Sequence, residues 1–186
     1  MNRKFPSHIN LPNETRAELV ELLNTCLATA IDLHWQTKQA HWNIRGRHFI
    51  SRHLLFDNVA KHVFEHADQF AERAGALGGY AQGTIRLAVR NSELEEYDLN
   101  AVDGDAHVRA LVERVSRYAT SIRQGIQRSD ELNDPVTADL FTQILGEVEQ
   151  DLWFLESHTY GAATASREEG VPPTRREERD TKSPHA

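Results

Sequence analysis

Apolar residues in the first half of the chain recur at three- and four-residue spacings, which is the period of amphipathic α-helices. One pattern runs from about residue 13 to 39 and a second from about 48 to 77. A short polar break containing Gly46 separates the two patterns, and a Gly-Gly pair ends the second. The spacing predicts two helices of nearly thirty residues joined by a tight turn.

The second half of the chain repeats this arrangement after a long connection. A third helical pattern begins near Asp103, and a fourth begins at Asp134, which a proline follows. An acid before a first-turn proline is a favourable helix start. Residues 80–102 have no sustained period, although Ser92 and Glu95 have the spacing of a capping box, which allows a short helix there. The sequence predicts an all-α four-helix bundle with a long crossover between helices two and three.

The chain of 186 residues has room for one domain of ordinary size. We expect the bundle to cover residues 13–160, between a flexible N-terminal arm at 1–12 and a flexible C-terminal tail at 161–186. No run approaches the roughly 18 apolar residues of a membrane span, so a cytoplasmic protein without a membrane partner is expected. A single cysteine, Cys26, excludes a disulfide framework within the chain, and its leucine neighbours predict that it is buried filler.

Charge is unevenly distributed along the chain. Residues 1–16 contribute +2 and residues 161–186 contribute 0 to a formal net charge of −7, which leaves −9 on residues 17–160. A body of this charge repels nucleic acid, so any contact with DNA would depend on the ends of the chain.

A polar stripe on the second helix carries the candidate chemistry. At about 100° per residue, His53, Asp57, Asp68 and Glu72 project within one sector beside the apolar face. The stripe holds one imidazole and three carboxylates in two i,i+4 pairs, a donor set that suits iron, manganese or zinc. The alternative is an ordinary solvated helix face.

The spacing of the stripe predicts a site made by two chains. His53 and Asp68 are fifteen residues apart, which is roughly 22 Å along a helix, so one ion cannot bridge them. If two copies of this helix pack antiparallel across a two-fold axis, the His53 end of one chain meets the Asp68 end of the other. His41 can join the His53 end of this site. The chain turns back at residue 47, midway between positions 41 and 53, so His41 returns to the level of His53.

The sequence disfavours two other kinds of metal site. A ferritin-type di-iron site inside one bundle needs Glu-x-x-His on two helices, and the chain contains no Glu-x-x-His. Residues 62–66 match the H-x-x-E-H pattern of inverted zinc peptidases. His62 and His66 project away from the polar stripe, which disfavours a peptidase.

Several motifs in this region resemble the Dps family, the DNA-binding proteins from starved cells. The similarity covers about residues 13–160 and includes the Asp-Leu-Trp-Phe-Leu-Glu run at 151–156. The segments that carry it most specifically are Thr37-Lys38-Gln39-Ala40-His41-Trp42-Asn43-Ile44-Arg45-Gly46, then Phe49, His53 and Asp57, then Asp68-Gln69-Phe70-Ala71-Glu72-Arg73 and Leu77-Gly78-Gly79.

The resemblance implies a homo-dodecameric shell of ferritin-like bundles that oxidises Fe(II), with hydrogen peroxide or dioxygen, and stores the ferric mineral. It implies up to two iron ions per ferroxidase site. Trp42 would lie beside the site, either taking up oxidising equivalents or simply packing, and Lys38 would pair with a site carboxylate. The ligands that it implies are His41, His53 and Asp57 from one chain and Asp68 and Glu72 from its two-fold mate.

The resemblance also implies iron-entry pores at three-fold axes, lined by acids near the junction of the last two long helices. Asp130, Asp134 and Asp139 lie in that region, and Glu131 is an alternative.

Two further functions share this fold. A nucleoid-associated protein that compacts DNA is the first, but the Lys-rich tails of the DNA-compacting members are missing: the N-terminus offers Arg3 and Lys4, and the C-terminal tail balances its charges. The second is a purely structural role or one with a metal other than iron.

Overall fold

The computed structural model describes residues 5–160 of the chain, which form five α-helices and no strand. The prediction of an all-α four-helix bundle is confirmed, and each long helix ends within a few residues of its predicted bounds. Among the helices of this range, none has the length and hydropathy that a membrane crossing requires. The helices are α1 (Asn13–Asn43), α2 (Phe49–Ala76), α3 (Ile85–Asn91), α4 (Gly104–Glu131) and α5 (Pro135–Ser157).

The core lies between two helix pairs, α1 with α2 and α4 with α5. The crossover brings the pairs together so that α1 also contacts α4 and α2 contacts α5. Gly125 lets α4 approach α5 closely, because a Cβ there would lie 2.7 Å from the Phe141 ring. Burying a large apolar side chain contributes roughly 1.5–3 kcal/mol. The largest fully buried side chains include Phe56, Phe70, Tyr118 and Phe141.

The short helix of the crossover lies upstream of its predicted position. Helix α3 ends at Asn91 and begins after Thr84, whose hydroxyl accepts a hydrogen bond from the amide of Leu87. Ser92 follows the helix instead of starting one, because its hydroxyl donates to Asp32 of α1 at 2.6 Å. The capping-box prediction was therefore wrong, and the serine ties the crossover to α1.

The predicted starts of α4 and α5 are confirmed. Asp103 accepts a hydrogen bond from the amide of Ala106 at 2.7 Å, which caps α4. Asp134 immediately precedes α5, and its carboxylate accepts hydrogen bonds from Thr137 and from the Arg73 guanidinium. Burial acts to raise the pKa of Asp134, but these hydrogen bonds outweigh it and the pKa is lowered. Asp134 thus links α2 to α5 as an anion.

The N-terminal segment, expected as an arm at residues 1–12, is described from residue 5 onward. Residues 5–12 lie on the end of α2, where the amide of Phe5 donates to the carbonyl of Gly78 at 2.7 Å. Gly78 has a φ of +80°, and a Cβ there would lie 2.6 Å from the Phe5 carbonyl oxygen. Arg3 and Lys4, and the predicted tail at 161–186, lie outside the described residues.

Cys26 is buried in the core, as predicted, with 3% of its surface exposed. Burial, with a smaller contribution from Glu93, raises the pKa of its thiol to about 12. The thiol is therefore protonated and unreactive at neutral pH.

Candidate metal centre

The α1–α2 hairpin brings His41 and His53 together as predicted. The Nδ1–H of His41 donates to the backbone carbonyl of His53 at 2.8 Å, and the Nδ1–H of His53 donates to that of His41 at 2.9 Å. The two rings stack with centroids 3.6 Å apart. Because a carbonyl can only accept, both rings carry their proton on Nδ1 and keep Nε2 available for a metal ion.

The protonation state of His41 also suits metal binding. Burial lowers the pKa of this imidazole, and the positive charge of Lys38 acts in the same direction. The hydrogen bond to the His53 carbonyl opposes the shift without cancelling it. A metal-binding imidazole must be neutral, so the fold favours the form that can coordinate.

Asp57 lies between two lysines on the same side of the hairpin. Its Oδ1 is 2.7 Å from Lys38 Nζ, and its Oδ2 is 3.1 Å from Lys61 Nζ. Hydrogen bonds from Lys38 and then Lys61 lower the pKa of Asp57 to about 2. The carboxylate is therefore ionised at every physiological pH, and an incoming cation must displace an ammonium group to reach it.

The other two predicted ligands lie at the opposite end of α2. Asp68 and Glu72 are exposed, and no hydrogen bond or ion pair engages either side chain among residues 5–160. In that range, no three His, Cys, Asp or Glu side chains are placed to hold a metal ion. One protomer therefore brings His41 and His53 together, holds Asp57 between two lysines, and leaves Asp68 and Glu72 at the far end of α2.

Apolar side chains share the sector of the polar stripe, a feature that the sequence analysis missed. Ile50, Leu54 and Phe64 are 64%, 56% and 59% exposed. At about 100° per residue they project at about 60°, 100° and 20° from His53, within the sector of the ligands. This common sector of α2 is the ligand face. It consists of His53, Asp57, Asp68 and Glu72 with Ile50, Leu54 and Phe64. The angles of these three positions about the helix axis, which follow from the sequence alone, would have placed them beside the ligands.

Aromatic residues of α1 extend this exposed apolar surface. Trp42 and Trp35 are 52% and 46% exposed, and their rings lie 6.3 Å apart. The Trp42 ring lies 5.9 Å from the ammonium of Lys38, which places it next to the Lys38–Asp57 pair. An exposed apolar surface that continues across two helices is typical of a protein interface.

The residues of the peptidase-like motif face α5. His62 Nδ1 lies 2.9 Å from the Asp151 carboxylate, and His66 Nε2 lies 3.2 Å from that of Glu147. His66 is 1% exposed, and its second ring nitrogen faces the Tyr118 hydroxyl at 3.5 Å. These pairs join α2 to α5 and explain the two histidines without a peptidase site.

The predicted pore acids are in two different environments. Asp134 is 3% exposed and lies 2.7 Å from Arg73, so within the protomer it does not face solvent. Asp130, Asp139 and Glu131 are exposed, and Glu131 forms an ion pair within its own helix. Asp130 and Asp139 are therefore the better candidates for lining a pore.

Comparisons with known proteins agree with this architecture. Residues 20–160 match the ferritin-like domain family. The chain is 40% identical over 149 residues to the DNA protection during starvation protein of Agrobacterium fabrum, which covers 80% of this chain and 92% of that one. Among solved structures, it is similar to DpsA14 from Streptomyces coelicolor, with a TM-score of 0.79 at 31% identity over 84% of this chain and 92% of that chain. Mycobacterium smegmatis Dps aligns with a TM-score of 0.78 at 29% identity over 82% and 93%.

Proposed function

Since the chain belongs to the Dps family of ferritin-like proteins, we propose that it is a cytoplasmic ferroxidase and iron-storage protein. It takes Fe(II) as its substrate, oxidises it with hydrogen peroxide or dioxygen, and retains the ferric product inside a shell of twelve chains. Iron and peroxide are removed together, which protects the cell from oxidative damage.

The ferroxidase site is shared between two chains. His41, His53 and Asp57 of one chain bind iron together with the partner's Asp68 and the partner's Glu72. The observation that carries this proposal is the ligand face itself, where unpaired carboxylates lie among exposed apolar side chains. Antiparallel pairing of two such faces covers the apolar side chains and joins the two half-sites in one contact.

The reaction suits this donor set. Two ferrous ions supply one electron each to hydrogen peroxide, the O–O bond breaks, and two protons complete two water molecules. Because both electrons arrive together, no hydroxyl radical is released. Carboxylates and neutral imidazoles hold Fe(II) and leave coordination positions open for the oxidant. His41 and His53 present Nε2, and Asp57 supplies a permanent negative charge.

Mixed oligomers test the shared site. In a dimer that pairs a His53→Ala chain with an Asp68→Ala chain, one of the two sites keeps every ligand. Such dimers should retain about half of the rapid Fe(II) oxidation, because the two losses fall on the same site. Homogeneous assemblies of either variant serve as controls and should be inactive. Complete inactivity of a correctly assembled mixed oligomer would contradict sharing.

Protection of DNA, which the Agrobacterium relative's name states, follows from removing iron and peroxide without requiring contact with DNA. Compaction of DNA is the alternative function, and the charge of −9 on residues 17–160 opposes it. We expect any DNA binding to be weak and to fall steeply as salt rises.

A further inference from the structure

A basic cavity lies at the end of the bundle where the α1–α2 turn, the start of α4 and the end of α5 meet. Its volume is about 460 Å³. Two acidic residues, Asp103 and Asp105, and two glycines, Gly46 and Gly104, line it beside the basic ones. The basic side chains of the wall come from the turn, α2 and the residue after α5, and they are Arg45, Arg47, His48, Arg52 and His158.

The two acids of the cavity are already engaged. The Asp103 carboxylate caps α4 by accepting from the amide of Ala106 at 2.7 Å. Asp105 forms an ion pair with the Nη2 of Arg52 at 2.5 Å. Neither carboxylate approaches Arg47, His48 or His158, so the remaining charge of the cavity is positive.

Arg52 forms the buried floor of the cavity. It is 7% exposed, and its Nε has no hydrogen-bond partner. Its guanidinium packs on the backbone of Gly104, where a Cβ would lie 2.5 Å from Nη1. Because glycine has no side chain, the Arg52 guanidinium can lie against the first turn of α4, whose amides add positive potential.

Three further basic side chains have no partner among residues 5–160. They are Arg47, His48 and His158. Burial lowers the pKa of His158, and the nearby charges of Arg52 and His48 lower it further. The fold therefore brings basic side chains together from three chain segments, and within residues 5–160 no carboxylate pairs with Arg47, His48 or His158.

We propose that this cavity binds a phosphate group, supplied as free phosphate. Guanidinium groups match the oxygens of a tetrahedral oxyanion, and donors on several sides of the cavity can each meet one oxygen. Arg47 and His158 line the cavity from different chain segments, so an anion over the Arg52 floor can accept hydrogen bonds from both. The site uses none of the iron ligands, and it stands independently of the proposed ferroxidase activity.

Calorimetric titration of the full-length, assembled, iron-free protein with inorganic phosphate tests the proposal. We expect saturable binding of one phosphate per chain and a higher Tm in phosphate than in chloride at equal ionic strength. Arg47→Gln should weaken binding about tenfold through loss of one charge-assisted contact and abolish most of the Tm difference. Arg47 is exposed and unpartnered, so this variant should fold and assemble normally. The matched control is Arg90→Gln on α3, which removes one exposed charge outside the cavity and should bind like the wild type.

Three results would overturn the proposal. The first is no saturable binding up to about 10 mM phosphate, and the second is equal binding by the wild type and Arg47→Gln. The third comes from a parallel titration with a short DNA duplex at the same salt concentration. If the duplex binds in an Arg47-dependent manner while inorganic phosphate does not bind, the cavity recognises nucleic acid instead.

Discussion

The two ends of α2 present the proposed metal ligands in opposite ways. At one end, His53 shares reciprocal hydrogen bonds with His41, and Asp57 is held by two lysines. At the other end, Asp68 and Glu72 are exposed and have no partner in residues 5–160. The fold therefore fixes the tautomers and charge of the first proposed half-site within one protomer, whereas the second proposed half-site would be positioned by another chain.

Under the proposed function, this difference would make activity depend on assembly. A lone protomer holds two imidazoles with unprotonated Nε2 atoms and one carboxylate that lysines occupy, which would be a weak site for Fe(II). Dimerisation would add two unpaired carboxylates, whose negative charge favours displacement of an ammonium from Asp57 by the metal ion. Oxidation would then occur only where a shell exists to hold the ferric product.

The largest expected effect comes from breaking the contact between the two half-sites. Phe64 is 59% exposed in the middle of the ligand face, between Asp57 and Asp68. Phe64→Glu should prevent the two-fold pairing, because it places two buried carboxylates near the axis. Sedimentation should then show species far below the roughly 254 kDa of twelve 21.2 kDa chains, and rapid Fe(II) oxidation should be lost.

Phe64→Leu is the matched control for that variant, since it keeps an apolar side chain and should keep both the assembly and the activity. Circular dichroism should show the same helix content in both variants, because Phe64 lies outside the core of the protomer. Full activity of Phe64→Glu would mean that the ligand face is not the interface.

The two half-sites should differ in what they contribute to stability. Asp68→Asn removes a carboxylate without a partner, so the free energy of unfolding should change by less than about 0.5 kcal/mol. Asp57→Asn removes the shared partner of Lys38 and Lys61 and should cost up to about 1 kcal/mol. Both variants should slow Fe(II) oxidation by about tenfold or more.

Denaturant unfolding and stopped-flow oxidation of the two variants measure these effects side by side. The dimer interface contributes to both unfolding curves, so they must be compared at equal protein concentration. A larger loss of stability in Asp68→Asn than in Asp57→Asn would reverse the assignment of the preorganised half-site.

The pH dependence of Fe(II) binding should come from the end of α2 where His53 lies beside His41. The pKa of His41 is lowered from 6.5, first by burial, so its neutral form persists below that pH. Asp57, with a pKa of about 2, stays ionised throughout. Protonation of His41 should therefore weaken ferrous binding, followed by anaerobic titration, mainly below pH 6.5. A midpoint above 6.5 would contradict the lowered pKa.

The lowered pKa of His41 should also make the free energy of unfolding depend on pH. Since the folded pKa of His41 is below the unfolded one, the unfolded chain binds more protons in this range. The contribution of His41 to stability is fully present above pH 6.5 and is lost as the pH falls through the folded pKa. His41→Gln should flatten this part of the stability profile, and an unchanged profile would assign the effect to other histidines.

The long helices and the imidazole pair could be predicted from the sequence because both depend on local periodicity. The apolar period placed α1 and α2, and a hairpin symmetric about residue 47 requires His41 to return to the level of His53. The position of α3 could not be predicted, because the tertiary hydrogen bond from Ser92 to Asp32 competes with the local capping pattern.

Side-chain partners were harder to predict than positions. The pairing of Lys38 with a site carboxylate was expected from the resemblance, but its choice of Asp57 and the second contact from Lys61 depend on how long side chains cross the hairpin. The burial of Asp134 against Arg73 also depends on packing between α2 and α5, which no spacing along either helix reveals.

The smallest expected effect concerns the lysines that occupy Asp57. A ferrous ion that binds Asp57 must displace an ammonium, and Lys38 is the closer of the two, with its Nζ 2.7 Å from the carboxylate and its side chain 19% exposed. Lys38→Met removes an ammonium that competes for Asp57 and that repels the ferrous ion. Ferrous binding should therefore tighten by roughly twofold to fivefold. The pKa of Asp57 should rise from about 2 toward 3.8. Lys61→Met is the matched control and should do less, because its ammonium is farther away at 3.1 Å and its side chain is 65% exposed. Anaerobic calorimetry with Fe(II) measures both variants, and weaker binding by Lys38→Met would mean that this lysine positions Asp57 for the metal more than it competes with it.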